Sequence, residues 1–179
     1  MAIATQLTGY KHVCRRSTGG VSKIGYIKVS DIASVTIEEK VVTAIEFAEG
    51  KHFIEYQSAL DKSEFSFSGG EVSILNHFNA MSKESSIAYN ELLDNAACGL
   101  VACVKMNNGA VALVGWTEEF GGERPLMTIE SSGTSGKAVA DENYLESTLK
   151  SSQATAPLYL SEELASQVNT LFATAATAA

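Results

Sequence analysis

The chain predicts a mainly β fold (α+β class): a β-sandwich or barrel with one inserted helix and a C-terminal helix packed against it. Three observations carry this. Short runs rich in β-branched and aromatic residues, several strictly alternating, recur along most of its length. An Asn-Gly pair at 108–109 separates two apolar runs, as in a tight hairpin. Only two segments combine helical spacing with capping residues.

In chain order, residues 23–29 form the first candidate strand. Residues 33–38 alternate, with Ala33, Val35 and Ile37 on one face and Ser34, Thr36 and Glu38 on the other. Residues 41–48 and 52–58 flank Glu49-Gly50-Lys51, a short link that reads as a hairpin. Residues 64–68 alternate again and end at Gly69-Gly70. Residues 100–106 and 111–116 bracket Asn107-Asn108-Gly109, and residues 125–130 and 144–149 add two more strands. The helix over 82–97 opens on Ser82, spaces Ile87, Leu92, Leu93, Ala96 and Ala97 helically, and has Gly99 just past its end. The helix over 161–172 opens on Ser161, carries Glu162 and Glu163 at the positive end of its dipole, and aligns Leu164, Val168, Leu171 and Phe172.

With 179 residues, 45% of them hydrophobic and 19% charged, the chain fits one globular domain rather than a disordered one. Mean hydropathy is +0.05, and no apolar run approaches the ~20 residues that span a bilayer. Met1-Ala-Ile-Ala-Thr5 lacks the basic and apolar regions of a signal peptide, so a protein made in a cytoplasm is expected. A formal charge of −8 opposes sequence-independent nucleic-acid binding. The basic residues from Lys11 to Arg16, with Lys23 and Lys28, read as solvated strand or loop ends. The acidic balance suits a conduit to which DNA must not stick.

Catalytic constellations are missing. Cys14, Cys98 and Cys103 lack CxxC spacing and read as buried thiols in a reducing compartment. His12, His52 and His77 are scattered and read as surface or half-buried side chains, so no metal site is expected. Gly133-Thr-Ser-Gly-Lys137 evokes a phosphate loop, but Ser131 and Ala138 stand where that motif needs Gly and Ser or Thr; a turn is expected. Glu38-Glu39, Glu118-Glu119 and Glu162-Glu163 are adjacent pairs, which point to opposite faces of a strand. Ser17 and Ser135 have no hydrolase context. No cofactor and no catalytic activity are expected.

Several segments, taken in order, carry a resemblance. Cys14-Arg-Arg-Ser-Thr-Gly-Gly-Val21 precedes Lys23-Ile-Gly-Tyr-Ile27; Phe65-Ser-Phe67 precedes a helix ending at Leu92-Leu93; an apolar hairpin spans residues 100–115; and Ser132-Gly-Thr-Ser-Gly-Lys-Ala138 with Asp141-Glu-Asn-Tyr144 leads to Ala156-Pro-Leu-Tyr159. From about residue 14 to 160 this order resembles bacteriophage tail proteins of Bacteroidetes phages and prophages, related to tail-tube subunits. The chain departs from that pattern in lacking a Gly before Tyr144 and in extending through residues 161–179.

The resemblance implies a tail-tube type of fold over residues 1–179 and a structural virion protein of the tail, assembled in the host cytoplasm. Such a subunit joins copies of itself into hexameric rings that stack into the DNA conduit. Its partners are itself, other tail or connector proteins, and genomic DNA passing without specific binding; a membrane is not among them. A tail-completion or head-to-tail connector ring is the alternative role, and a ligand-binding or adhesion β-sandwich the alternative class. Within this reading the hairpin over 41–58 is expected to form the ring or line its bore, through Val41, Ile45, Phe47, Phe53 and Tyr56. Loops 58–63 and 116–124, with Trp116 and Phe120, are expected to join ring to ring. Leu171 and Phe172, with the Ala/Thr tail that follows them, complete the expected subunit contacts.

Overall fold

The computed structural model of the chain describes residues 18–56, 62–117, 125–153 and 155–173. After β1 (Val21–Lys28) a 3-10 turn leads to β2 (Ile32–Glu38), β3 (Val41–Phe47), β4 (Phe53–Tyr56), β5 (Glu64–Ser68) and β6 (Glu71–Asn79). Helix α1 (Lys83–Ala96) precedes β7 (Leu100–Met106), β8 (Val111–Val114), β9 (Met127–Thr134), β10 (Tyr144–Ser152) and β11 (Leu158–Leu160). The chain closes with α2 (Glu162–Ser166), α3 (Val168–Leu171) and β12 (Phe172–Ala173). These strands make an eight-stranded sheet in the order β12-β4-β1-β7-β8-β11-β3-β2 and a four-stranded sheet in the order β5-β6-β10-β9.

The large sheet is rolled. Four strands separate β3 from β4 in the sheet order, yet the rings of Phe47 and Phe53 meet edge-to-face at 5.5 Å. Residues 48–52 therefore cross the seam of a curled sheet, and the expected hairpin over 41–58 does not exist. β3 pairs with β2 and β11, whereas β4 pairs with β1 and β12. The true hairpin joins β2 to β3 through Glu39 and Lys40, both at positive φ (50° and 66°), the backbone of a type I′ turn. Without Asn or Gly at either position, that turn is invisible to composition.

β7 explains why two cores can share one sheet. Its residues alternate between faces: Leu100, Ala102 and Val104 face a cluster with the small sheet and α1, and Val101 and Cys103 face a second cluster inside the roll. From Leu100 to Val104 the run is apolar because neither side meets water. β7 turns into β8 through Asn107-Asn108-Gly109, as expected; Gly109 adopts φ 91° and its N–H donates to Met106 O at 3.0 Å.

Helix α1 caps as expected, Ser82 Oγ accepting from Ser85 N at 3.1 Å. Its buried stripe differs from the expected one. Leu92 and Ala96 are buried, with Ala88 and Tyr89 against the same core, while Ile87 is 50% exposed. The expected helix over 161–172 breaks at Gln167 (φ −89°, ψ 5°). Phe172 leaves it to pair in parallel with Phe53 and is only 8% exposed. Its ring lies over Gly25, where a Cβ would come 2.1 Å from Phe172 Cε1. Burial of this aromatic group, worth roughly 1.5–3 kcal/mol, outweighs the weak helix preference of Val168, Asn169 and Thr170.

Strand β6 was not among the expected elements. Val72, Ile74 and Phe78 alternate onto the core, but buried Asn76 and His77 interrupt the apolar pattern. Ala33 also departs from its expected face. A register shift between Ile32 and Ser34 leaves Ala33 exposed and gives the inward position to Ile32.

Candidate functional site

The four-stranded sheet is the feature whose two faces differ most. Each strand runs antiparallel to its neighbour. One face presents Val72, Ile74, Phe78 and Leu149 to the core. The other is polar. Across it, Glu64 stands opposite Leu75 and Ser66 opposite Ser73, and His77, Leu75 and Ser73 stand opposite Glu146, Thr148 and Lys150. Ser132 and Glu130 complete the rows on β9. Glu64, Glu71, Glu130 and Glu146 thus share a face on which Lys150 is the lysine, itself 3.4 Å from Glu71. A shallow trough along Glu130, Ser132, Glu146 and Thr148 opens onto solvent.

Ladders and pairs tie the strands of this face together. Ser66 Oγ and Ser73 Oγ lie 2.7 Å apart. His77, 5% exposed rather than at the surface, has Nδ1 2.8 Å from Glu146 Oε1 and its ring stacked on Tyr144 at 5.1 Å. At the same end, Lys62 Nζ donates to Glu142 Oε1 at 2.5 Å, which holds the Glu142 carboxyl below its ordinary pKa.

Apart from Leu126, just before β9, which bridges to Leu100 of β7, both edges of the small sheet lack a partner among the described residues, since β5 and β9 each pair on one side only. Backbone directions follow from two bonds flanking the β10 ladder. Ala80 N donates to Asn143 O, and Gln153 N to Gly70 O. Odd-numbered residues of β10 therefore face β6 and even-numbered ones face β9. On β9, Glu130, Ser132 and Thr134 bond inward, and Ser131 and Gly133 turn their N–H and C=O groups outward. On β5, the two-residue link Gly69-Gly70 makes Ser68 and Glu71 a bonded pair, so Phe65 and Phe67 point outward.

The expected contact residues lie elsewhere. Phe53 is fully buried and Phe172 nearly so, both inside the rolled sheet, so neither can meet a neighbour without unfolding. Ile45, Phe47, Trp116 and Leu171 are half-buried against the same core. Tyr56 packs edge-to-face on Tyr26 and Phe78, and Val41 pairs with Tyr159. Phe120, most of loops 58–63 and 116–124, Cys14, His12, the basic cluster and residues 174–179 lie outside the described residues.

Among the described residues no group of three or more His, Cys, Asp or Glu could hold a metal, and no helix is long and apolar enough to cross a membrane. A cleft of about 370 Å³ lies beside α1, floored by Tyr26, Tyr56 and Leu92 and rimmed by Lys28, Asp31 and Lys51. Its Tyr26 hydroxyl is committed to Asn76 Oδ1 at 2.6 Å, and burial raises its pKa.

The expected phosphate-loop mimic is a strand end and a turn. The amides of Lys137 and Ala138 donate to Asp141 Oδ2 at 2.7 and 2.8 Å, so a carboxylate of this chain sits where a phosphate would. Those two bonds lower the Asp141 pKa from its ordinary 3.8. A depressed carboxylate stabilises the turn above its unfolded pKa, and that contribution is lost as pH falls through the lowered folded value. Protection of the Lys137 and Ala138 amides, their exchange relative to an unstructured chain at the same pH, is expected to hold at pH 5 and to fall below the ordinary carboxylate range. Protection unchanged down to full protonation of Asp141 contradicts this.

The cysteines separate sharply. Cys103 is buried, and desolvation pushes its thiol up to about 12. Cys98 is exposed, against expectation, because it falls in the turn after α1. Iodoacetamide at pH 8 is expected to label Cys98 in the native protein and Cys103 only after denaturation, as read by peptide mass spectrometry. Equal labelling of both contradicts the two-sided burial of β7.

No protein-family model, curated protein or solved structure matches this chain.

Proposed function

We propose that this chain is a structural subunit of a bacteriophage tail tube, assembling with copies of itself into stacked rings whose bore conducts DNA. One observation carries the reading: a polar face rich in glutamate lies on a sheet whose two edge strands, β5 and β9, have no outer strand among the described residues. A duplex passing such a wall is repelled rather than held, because phosphate binding requires clustered Lys and Arg. Unpaired edges are an aggregation liability that a neighbouring copy removes. Contact between two different edges of one chain is heterologous, so it closes into a ring or continues as a filament. The order of motifs from residue 14 to 160 supports the same reading, and the role requires no catalytic group.

The test is negative-stain electron microscopy of the concentrated full chain, with size-exclusion chromatography over a range of concentrations. Rings stacked into tubes with a central hole are expected, with no retardation of duplex DNA at physiological salt. Single rings of fixed height would reassign the protein to tail completion or head-to-tail connection. A monomer at every concentration, with no particles, sinks the proposal.

A further inference from the structure

From the directions of its edges, we infer that one copy's β9 pairs with the next copy's β5 in a single register, placing Ser132 opposite Ser66 and Gly133 opposite Phe65. The inference rests on the ring-forming reading and specifies its junction.

The small sheet has an even number of strands, all antiparallel, so β5 and β9 run in opposite directions. Translating or rotating one copy onto the next therefore brings β9 against β5 as another antiparallel pair. An odd number of strands would instead have forced a parallel junction. Faces and bonding directions also agree. The outward-pointing residues are Phe65 and Phe67 at one edge and Ser131 and Gly133 at the other, and both sets stand on the core side of the sheet. Opposed residues in an antiparallel ladder must share both face and bonding direction. Only registers shifted in steps of two residues satisfy this.

Length and charge select one of those registers. β5 is five residues long, and the uninterrupted part of β9 is Glu130 to Thr134, because the ladder with β10 shifts register between Thr148 and Leu149. Pairing all of β5 with all of that run sets Glu64 against Thr134, Phe65 against Gly133, Ser66 against Ser132, Phe67 against Ser131 and Ser68 against Glu130. The two glutamates then lie at opposite ends of the junction. A slip that set Glu64 against Glu130 would leave like charges directly opposed. The register also covers Phe67, which is 41% exposed on the core side of its edge, and sets Phe65 against Gly133, where Leu145 Cδ2 already fills the place of a side chain, 2.7 Å from where a Cβ would lie.

Cysteine cross-linking of the full chain tests the register. In a Cys14→Ser, Cys98→Ser background, Ser66→Cys is combined with Ser132→Cys, with Glu130→Cys or with Thr134→Cys, and each is oxidised with copper-phenanthroline. Ser66 and Ser132 would form a non-bonded pair with Cα atoms about 4.5 Å apart, within disulfide reach. The other two pairs are diagonal, at about 7–8 Å. Covalent dimers, trimers and higher rungs are expected on non-reducing gels from Ser66→Cys/Ser132→Cys, at least tenfold above either control. Ladders from a control pair instead overturn the register. Particles by microscopy with no ladder from any pair place the junction on other elements and overturn the inference alone. Dimers from Ser66→Cys by itself indicate a head-to-head contact and overturn it too. Absence of particles from the unmutated protein fails the tail-subunit reading, and the junction with it.

Discussion

Gly25→Ala is expected to destabilise the protein by about 3 kcal/mol, although it adds a single methyl group. The new Cβ would lie 2.1, 2.6 and 3.0 Å from three ring atoms of Phe172. That ring cannot retreat, because it is buried and lies 5.9 Å from the ring of Phe53. Overpacking of this kind is relieved by trimming the partner. The double variant Gly25→Ala/Phe172→Leu is expected to be more stable than Gly25→Ala alone, with a favourable coupling of more than about 1 kcal/mol. Urea denaturation midpoints at constant slope read both effects. A Gly25→Ala midpoint indistinguishable from that of the parent would show that Phe172 does not occupy the rolled sheet, and β12 would lose its reason to exist.

Ser131→Pro is expected to abolish assembly while leaving the subunit folded. The N–H it removes points away from β10, toward the open edge, so no bond among the described residues is broken. Proline at an exposed edge is a recognised block to strand pairing. Ser132→Pro, one residue away, removes an N–H bonded inward to β10 opposite Glu146 and is expected to lower stability in the isolated subunit. Circular dichroism and thermal melting separate the two, and microscopy reads assembly. Normal tubes from Ser131→Pro would mean that the β9 edge takes no part in them.

Much of the fold was legible because its signals are local. The Asn-Gly turn and the two apolar runs around it required only residues 100–114, and those became β7 and β8. Ser82 announced α1 because a cap acts within three residues. β6 was hidden, since Asn76 and His77 are polar and buried: one accepts from the Tyr26 hydroxyl, the other stacks on Tyr144. Those partners lie 50 and 67 residues away in sequence, beyond the reach of any window. The candidate site suffered most. Phe53 was expected at a subunit contact as part of a hairpin over 41–58, and Phe172 as part of a C-terminal helix; in the fold the two rings pack 5.9 Å apart within the core. The edges proposed in their place, Glu64–Ser68 and the Ser-Ser-Gly end of β9, are too short and too polar to stand out.

By itself, the sequence determined a mainly β chain, acidic overall, with a capped helix before an apolar hairpin. Those properties follow from side-chain period, capping chemistry and composition, all of which act over a few residues. Tertiary structure alone decided that β4 crosses the seam to join β1, that Phe172 abandons its helix, and that the glutamates of β5, β6, β9 and β10 gather on one face of the small sheet. The reason is that strand partners are chosen by the burial of distant surfaces, and only the closed fold brings those surfaces together.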